Sequence, residues 1–179
     1  MSVIEEAPRN RQPVQTYVLE HDDAVINEAI RKELRRGGQV FYLHNDVATI
    51  ESCASRILEA VPEAKIAIGH GKMKEHELSE VWRMMLEQEV NVLVCTTIIE
   101  TGVDLPNANT LIIENADRMG LSQLHQLRGR VGKATAEPML ILHSAKTKCL
   151  QKFSKSALPL SENLPNLAAD LKSQCEILN

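Results

Sequence analysis

The run HQLRGRVGK, residues 125 to 133, gathers Arg128, Arg130 and Lys133 around Gly129 and Gly132. Glycines let a backbone approach a second surface closely, and a guanidinium held in that setting can pair with two phosphate oxygens at once. The spacing points to a phosphate clamp working across an interface, with a solvated basic turn as the plainer alternative. Upstream, TTIIETGVDLP (96 to 106) follows an apolar run. The Thr96 hydroxyl and nearby backbone amides suit a phosphate, Gly102 permits a bend, and Asp104 can accept from a ribose or orient an arginine. Alone this segment reads equally well as a capped turn; its pairing with HQLRGRVGK favours the phosphate reading. GHGKM (69 to 73) puts Lys72 and two glycines where helix-start amides favour an anion, and a simple tight turn fits it as well.

Other chemistries find less support. Glu100, Glu114 and Asp117 could form an acid pair for hydrolysis, but caps and salt bridges explain carboxylates on separate loops equally well. His70 and His125 have no cysteine or carboxylate at ligand spacing. Cys53, Cys95, Cys149 and Cys175 are far apart, with no C-x-x-C pair, so they read as structural thiols and no metal site is expected. The chain also has no G-x-x-x-x-G-K-S/T loop and no acidic strand end that would hold Mg2+ beside one. A candidate arginine finger is present without the cradle it would act on, so a second lobe is implied.

These residues need a frame to hold them. Residues 1 to 15 read as an entry strap. Beyond them, apolar runs at TYVLE (16 to 20), QVFYL (39 to 43), KIAIG (65 to 69), NVLVC (91 to 95) and TLIIEN (110 to 115) alternate with helical periodicity. The first helix carries Val25, Ile26, Ala29, Ile30 and Leu34 after an Asp22 or Asp23 cap and stops at Gly37-Gly38. The turn His44-Asn45-Asp46 can cap a second helix with Ile50, Cys53, Ile57, Leu58 and Val61 on one face. A third runs from about Lys74 to Glu89 with Leu78, Val81, Trp82 and Met85 inward, and a fourth lies near Leu121 to Leu127. Wholly apolar strands alternating with amphipathic helices predict a doubly wound parallel α/β sheet. The turns HND, GHGKM, TTIIETGVD and ENAD would then share the rim at the carboxyl ends of the strands, where such sheets bind ligands.

With 179 residues and 44% hydrophobic content, the chain has material for one buried domain. A net charge of -4 and a pI near 5.9 provide no global basic field, so any phosphate contact must be local. No apolar run approaches a membrane span and no signal pattern opens the chain, so a reducing cytoplasm is expected.

Taken together, GGQVFYL, IGHGKM, VLVCTTIIETGVDLPNANTLIIENAD and GLSQLHQLRGRVG resemble the second motor lobe of the bacterial transcription-repair coupling factors, with RecG-type fork-remodelling helicases next nearest. The resemblance covers residues 1 to 132. It implies a RecA-like lobe of the P-loop NTPase fold, the second helicase lobe and without a Walker A loop, from a superfamily 2 motor that uses ATP with Mg2+ to translocate on double-stranded DNA. The nucleotide would be bound mainly by the first RecA-like lobe of the same full-length protein, with RNA polymerase and excision-repair proteins as partners of the whole. By position, the resemblance makes Asn45, Gly71 and Thr96 nucleic-acid contacts, Gly102 and Asp104 the link to nucleotide, and Gln126 and Arg130 residues facing ATP, Arg130 as the finger. Lys133 stands where the family has a second arginine, and an ammonium cannot reproduce its bidentate contact. A non-catalytic RecA-like binding module is the reading from a different class.

From residue 133 the resemblance is expected to stop. Re-reading the codons one base earlier lets residues 155 to 179, KSALPLSENLPNLAADLKSQCEILN, encode a string like the segment the family carries downstream. That predicts a frame slip at the codon of Lys133, a lobe over 16 to 144 and a non-family, mobile tail over 145 to 179. Met1 likewise resembles an internal methionine of a longer protein. One exception is expected: PMLIL, 138 to 142, can still add a strand to a sheet edge.

Overall fold

A computed structural model of the chain describes residues 14–19, 22–97, 105, 107–131 and 138–143. Six parallel strands form one sheet in the order β1-β6-β5-β2-β4-β3, where β1 is Gln15–Leu19, β2 Gln39–Leu43, β3 Ile66–Gly69, β4 Val92–Cys95, β5 Ala108–Glu114 and β6 Met139–His143. Among the described residues four α-helices cover it: α1 (Asp23–Arg35), α2 (Ile50–Ala60), α3 (Glu75–Leu86) and α4 (Leu121–Arg128).

The expected doubly wound α/β architecture is what forms, because β2, β4, β5 and β6 are buried at every position and need cover on both faces. On one face, Ile26, Ala29 and Ile30 of α1 and Ile50, Cys53 and Ile57 of α2 pack on Val40, Tyr42, Val94 and Ile112. On the other, Val81 and Met85 of α3 and Leu124 and Leu127 of α4 pack on Phe41, Leu43, Leu93 and Leu111. Alternation along each strand sends successive side chains to these two cores.

Local chemistry sets the boundaries. Asp22 caps α1, its Oδ1 accepting from the amides of Ala24 at 3.0 Å and Val25 at 3.4 Å, and Gly37 ends it at φ +72°. The second helix starts later than HND suggested. Asp46 Oδ1 accepts from the Ala48 amide at 2.9 Å, so its side chain closes a turn, and α2 begins only after Thr49. At the far end of α3, the buried Gln39 amide donates to the carbonyls of both Met85 and Val90 at 2.7 Å, tying the helix terminus to β2.

The segment at 138 to 142 departs from expectation in position. It forms β6, but between β5 and β1 and not at an edge, with Ile141 opposite both Ile112 and Tyr17. An interior parallel strand must present apolar side chains to both faces, and Met139, Leu140, Ile141 and Leu142 do so, each 5% exposed or less. The strand itself is the one expected over these residues; its place inside the sheet, and not at an edge, is what differs. The tail from 144 on lies outside the described residues.

Candidate nucleotide and nucleic-acid interface

Because every strand is parallel, their carboxyl ends meet on one rim. Leu43, Cys95 and Gly69 are in register across β2, β4 and β3. The backbone continues the register past the strands: the His44 amide donates to the Cys95 carbonyl at 2.8 Å, and the Thr96 amide to the Gly69 carbonyl at 3.2 Å. Asn45, Thr96 and Gly71 thus leave three adjacent strand ends side by side. With strands about 4.8 Å apart the row is about 10 Å wide. Asn45 and Gly71 are exposed and Thr96 is 9% exposed at the base of the row. His70 Nδ1, next to Gly71, is buried and has no hydrogen-bond partner among the described residues.

The expected ATP-facing residues lie on and just beyond α4. Leu124, Leu127 and Val131 bury one side of this segment. Gln126 is exposed on α4, and Arg130, on the turn just beyond the helix, is half-buried. Gly129 caps the helix and the Arg130 amide donates to the Leu127 carbonyl at 2.9 Å, so the arginine is carried on an ordered turn. Arg128 is half-buried. Gly102, Asp104, Glu100 and Lys133 lie outside the described residues.

Glu114 has the role of a salt-bridge partner. It closes β5 as its last strand residue, where Oε2 pairs with His44 Nδ1 and Oε1 accepts from Arg56 Nη2 at 3.3 Å. The Cys53 thiol donates to Oε2 at 3.9 Å, and His44 Nε2 lies 2.8 Å from Thr49 Oγ1. Burial alone would raise the Glu114 pKa, yet the His44 hydrogen bond and the charges of His44, His143 and Arg56 hold it below the ordinary carboxylate value. Burial, then the Glu114 carboxylate, pushes the Cys53 thiol up to about 11 and the Tyr42 phenol far above its usual range. Burial disfavours the Arg56 cation, but Tyr42, Cys53 and Glu114 around it raise its pKa on balance. Sequence spacing could not foresee this group, since Glu114 is 61 residues from Cys53 and 70 from His44.

A family profile, the helicase conserved C-terminal domain, matches residues 22–135. The chain belongs to that helicase family. Among curated relatives, the transcription-repair-coupling factor of Haemophilus influenzae is 50% identical over 169 residues, covering 94% of this chain and 15% of the relative. That of Bacillus subtilis is 50% identical over 172 residues, 96% of this chain and 15% of the relative. That of Staphylococcus epidermidis is 46% identical over 179 residues, 100% of this chain and 15% of the relative. The chain therefore spans about 15% of the length of the relatives it matches. The staphylococcal alignment also crosses the segment from Lys133 on, where the sequence was expected to leave the family.

Among solved structures, RecG bound to a three-way DNA junction superposes with a TM-score of 0.71 at 31% identity, covering 94% of this chain and 23% of that one. Saccharomyces cerevisiae Dbp5 bound to RNA and ADP BeF3 superposes at 0.69 with 15% identity, covering 90% of this chain and 45% of that one, a likeness of fold. The helicase lobe is thus RecA-like, and no helix among its described residues is long and apolar enough to cross a membrane.

Proposed function

We propose that this lobe is the second motor lobe of an ATP-dependent double-stranded DNA translocase acting in transcription-coupled repair. One observation carries the reading: a rim row of Asn45, Thr96 and Gly71 on adjacent strand ends, in a lobe that also carries Gln126 exposed on α4 and Arg130 on the turn just beyond it. The row suits a phosphate backbone because the Asn45 side-chain amide and the Thr96 hydroxyl can meet phosphate oxygens, and Gly71 lets a strand approach, without reading bases. An arginine carried on the turn that ends a helix anchored by Leu124 and Leu127 suits an anion held by another lobe.

ATP with Mg2+, held mainly by the first lobe, would supply the cleavable phosphoryl group. This chain's Arg130 would neutralise charge on that group's oxygens and Gln126 would orient the finger, while Gly102 and Asp104 would link the nucleotide to the DNA-contacting row. Lys133 would offer the nucleotide a point charge in place of a bidentate contact. RNA polymerase and excision-repair proteins are partners of the whole protein in this reading, which places its work in the cytoplasm. The identity of 46% to 50% with coupling factors, against 31% with RecG, favours this assignment over a fork-remodelling lobe.

The test is ATP turnover. The purified chain alone should show none above buffer, since it lacks the phosphate loop. In the full-length parent protein, Arg130→Ala should lower the DNA-stimulated rate about 10³-fold while ATP still binds. Turnover by the isolated chain would refute the reading. An Arg130→Ala parent with the wild-type rate would leave a non-catalytic RecA-like binding module.

A further inference from the structure

Three side chains of different donor type meet at the end of β5. His44 comes from the turn after β2, Cys53 from the first turns of α2 and Glu114 from the strand end. Their ligand atoms all lie within 4.8 Å of one another. We propose that His44 Nδ1, Cys53 Sγ and Glu114 Oε2 form a binding site for a borderline divalent cation of the Zn2+ type, with a fourth position left to solvent.

The donor set fits that class: an imidazole nitrogen, a thiolate sulfur and a carboxylate oxygen are the three ligand types such ions combine. Zn2+ bonds of about 2.0 to 2.3 Å place tetrahedral ligands about 3.3 to 3.8 Å apart. Cys53 Sγ and Glu114 Oε2 already stand at 3.9 Å. The ion would enter between His44 Nδ1 and Glu114 Oε2, bound by the neutral imidazole with its N–H on Nε2, and the Cys53 thiol would release its proton to solvent as the thiolate binds.

A second tier of contacts orients these ligands. Thr49 Oγ1, 2.8 Å from His44 Nε2, can accept from that nitrogen, which fixes the tautomer that leaves Nδ1 free to bind a metal. Arg56 holds Glu114 Oε1 at 3.3 Å and so turns Oε2 toward Cys53. Cys53 is 3% exposed and Glu114 8%, whereas the His44 side chain is 13% exposed, so the open position faces out from the imidazole side. Salt bridging alone accounts for Glu114 with Arg56 and His44. It does not account for the Thr49 hydroxyl on the far imidazole nitrogen, while Cys53 also packs in the core under α2 and takes a 3.7 Å contact from Arg56 Nη2.

Cobalt(II) titration of the metal-free full chain tests the site, in a Cys149→Ser, Cys175→Ser background so that Cys53 is distinguished from other thiols. The expected result is one equivalent bound with a thiolate-to-cobalt charge-transfer band and four-coordinate d–d absorption, both displaced by Zn2+. Cys53→Ser should abolish the charge-transfer band, and Glu114→Gln should weaken binding at least tenfold. Far-UV circular dichroism establishes that each variant is folded. Thr49→Val, an exposed change that leaves every ligand in place, should weaken binding about 10- to 100-fold. Absence of the band, its survival in Cys53→Ser, or unaltered affinity in Thr49→Val would each overturn the proposal.

Discussion

A side chain on Gly38 would overlap the carboxylate of Glu33, which folds back from the last turn of α1 into the space a Cβ would take. Glu33 is 1% exposed; its carboxylate accepts from Thr110 Oγ1 at 2.8 Å and Asn109 Nδ2 at 3.4 Å and pairs with Arg36. This buried polar knot joins α1 to β5 at the rim opposite the candidate interface. Gly38→Ala should therefore destabilise the lobe by about 1 to 3 kcal/mol through overpacking. In a Glu33→Ala background the same change should be nearly neutral. Urea unfolding of the four proteins checks the cycle, and equal effects in both backgrounds would count against the contact.

Gln39 has a similar role at the end of α3. Its amide donates to two buried carbonyls, of Met85 and Val90, and Gln39→Leu would leave both without that donor. The expected loss is about 1 to 3 kcal/mol, with amide exchange speeding first in residues 84 to 90. A variant as stable as the parent would mean those carbonyls find other donors.

Neither described cysteine should react in the native state. Cys95 is fully buried and burial pushes its thiol far above the usual range, while Cys53 is raised to about 11. A group whose pKa is raised stays protonated below it, so at pH 8 about one Cys53 thiol in a thousand is thiolate. Alkylation mapped by mass spectrometry should find both unmodified without denaturant and both modified in it. Native labelling of Cys95 would contradict the packing of β4.

Much of the fold was legible because parallel strands buried on both faces must be apolar throughout. QVFYL coincides with β2, and NVLVC and TLIIEN fall within a residue or two of β4 and β5. What the sequence hid was long-range or polar. Glu33 falls on the buried side of α1, where periodicity counts only apolar residues, and its partners lie 76 and 77 residues away. PMLIL was readable as a strand, but its interior place depends on pairing with β1 and β5, which no local pattern encodes. The row of Asn45, Thr96 and Gly71 was legible as separate turns, and the strand order β2-β4-β3 is what brings them together. The cluster around Glu114 left no linear signal beyond a polar turn after β2.

The same row leads to the last prediction, duplex binding that is weak, independent of base sequence and sensitive to salt. Three short contacts over about 10 Å can follow only a few phosphates, and a chain of net charge -4 opposes rather than assists the encounter. Each phosphate neutralised contributes a slope of about -0.9 in log affinity against log salt. Asn45, Thr96 and Gly71 carry no charge, so the slope counts the lysines and arginines beside the row, such as the exposed Lys72, and two or three of them should give about -2 to -3. Thr96→Val keeps the shape and removes the hydroxyl, so it should weaken binding severalfold on every sequence alike, with the salt slope unchanged because no charge is lost. Fluorescence anisotropy with two unrelated duplexes at two salt concentrations measures all of this. Affinity that ignores salt, or a Thr96→Val effect confined to one duplex, would mean that DNA binds somewhere other than the strand-end row.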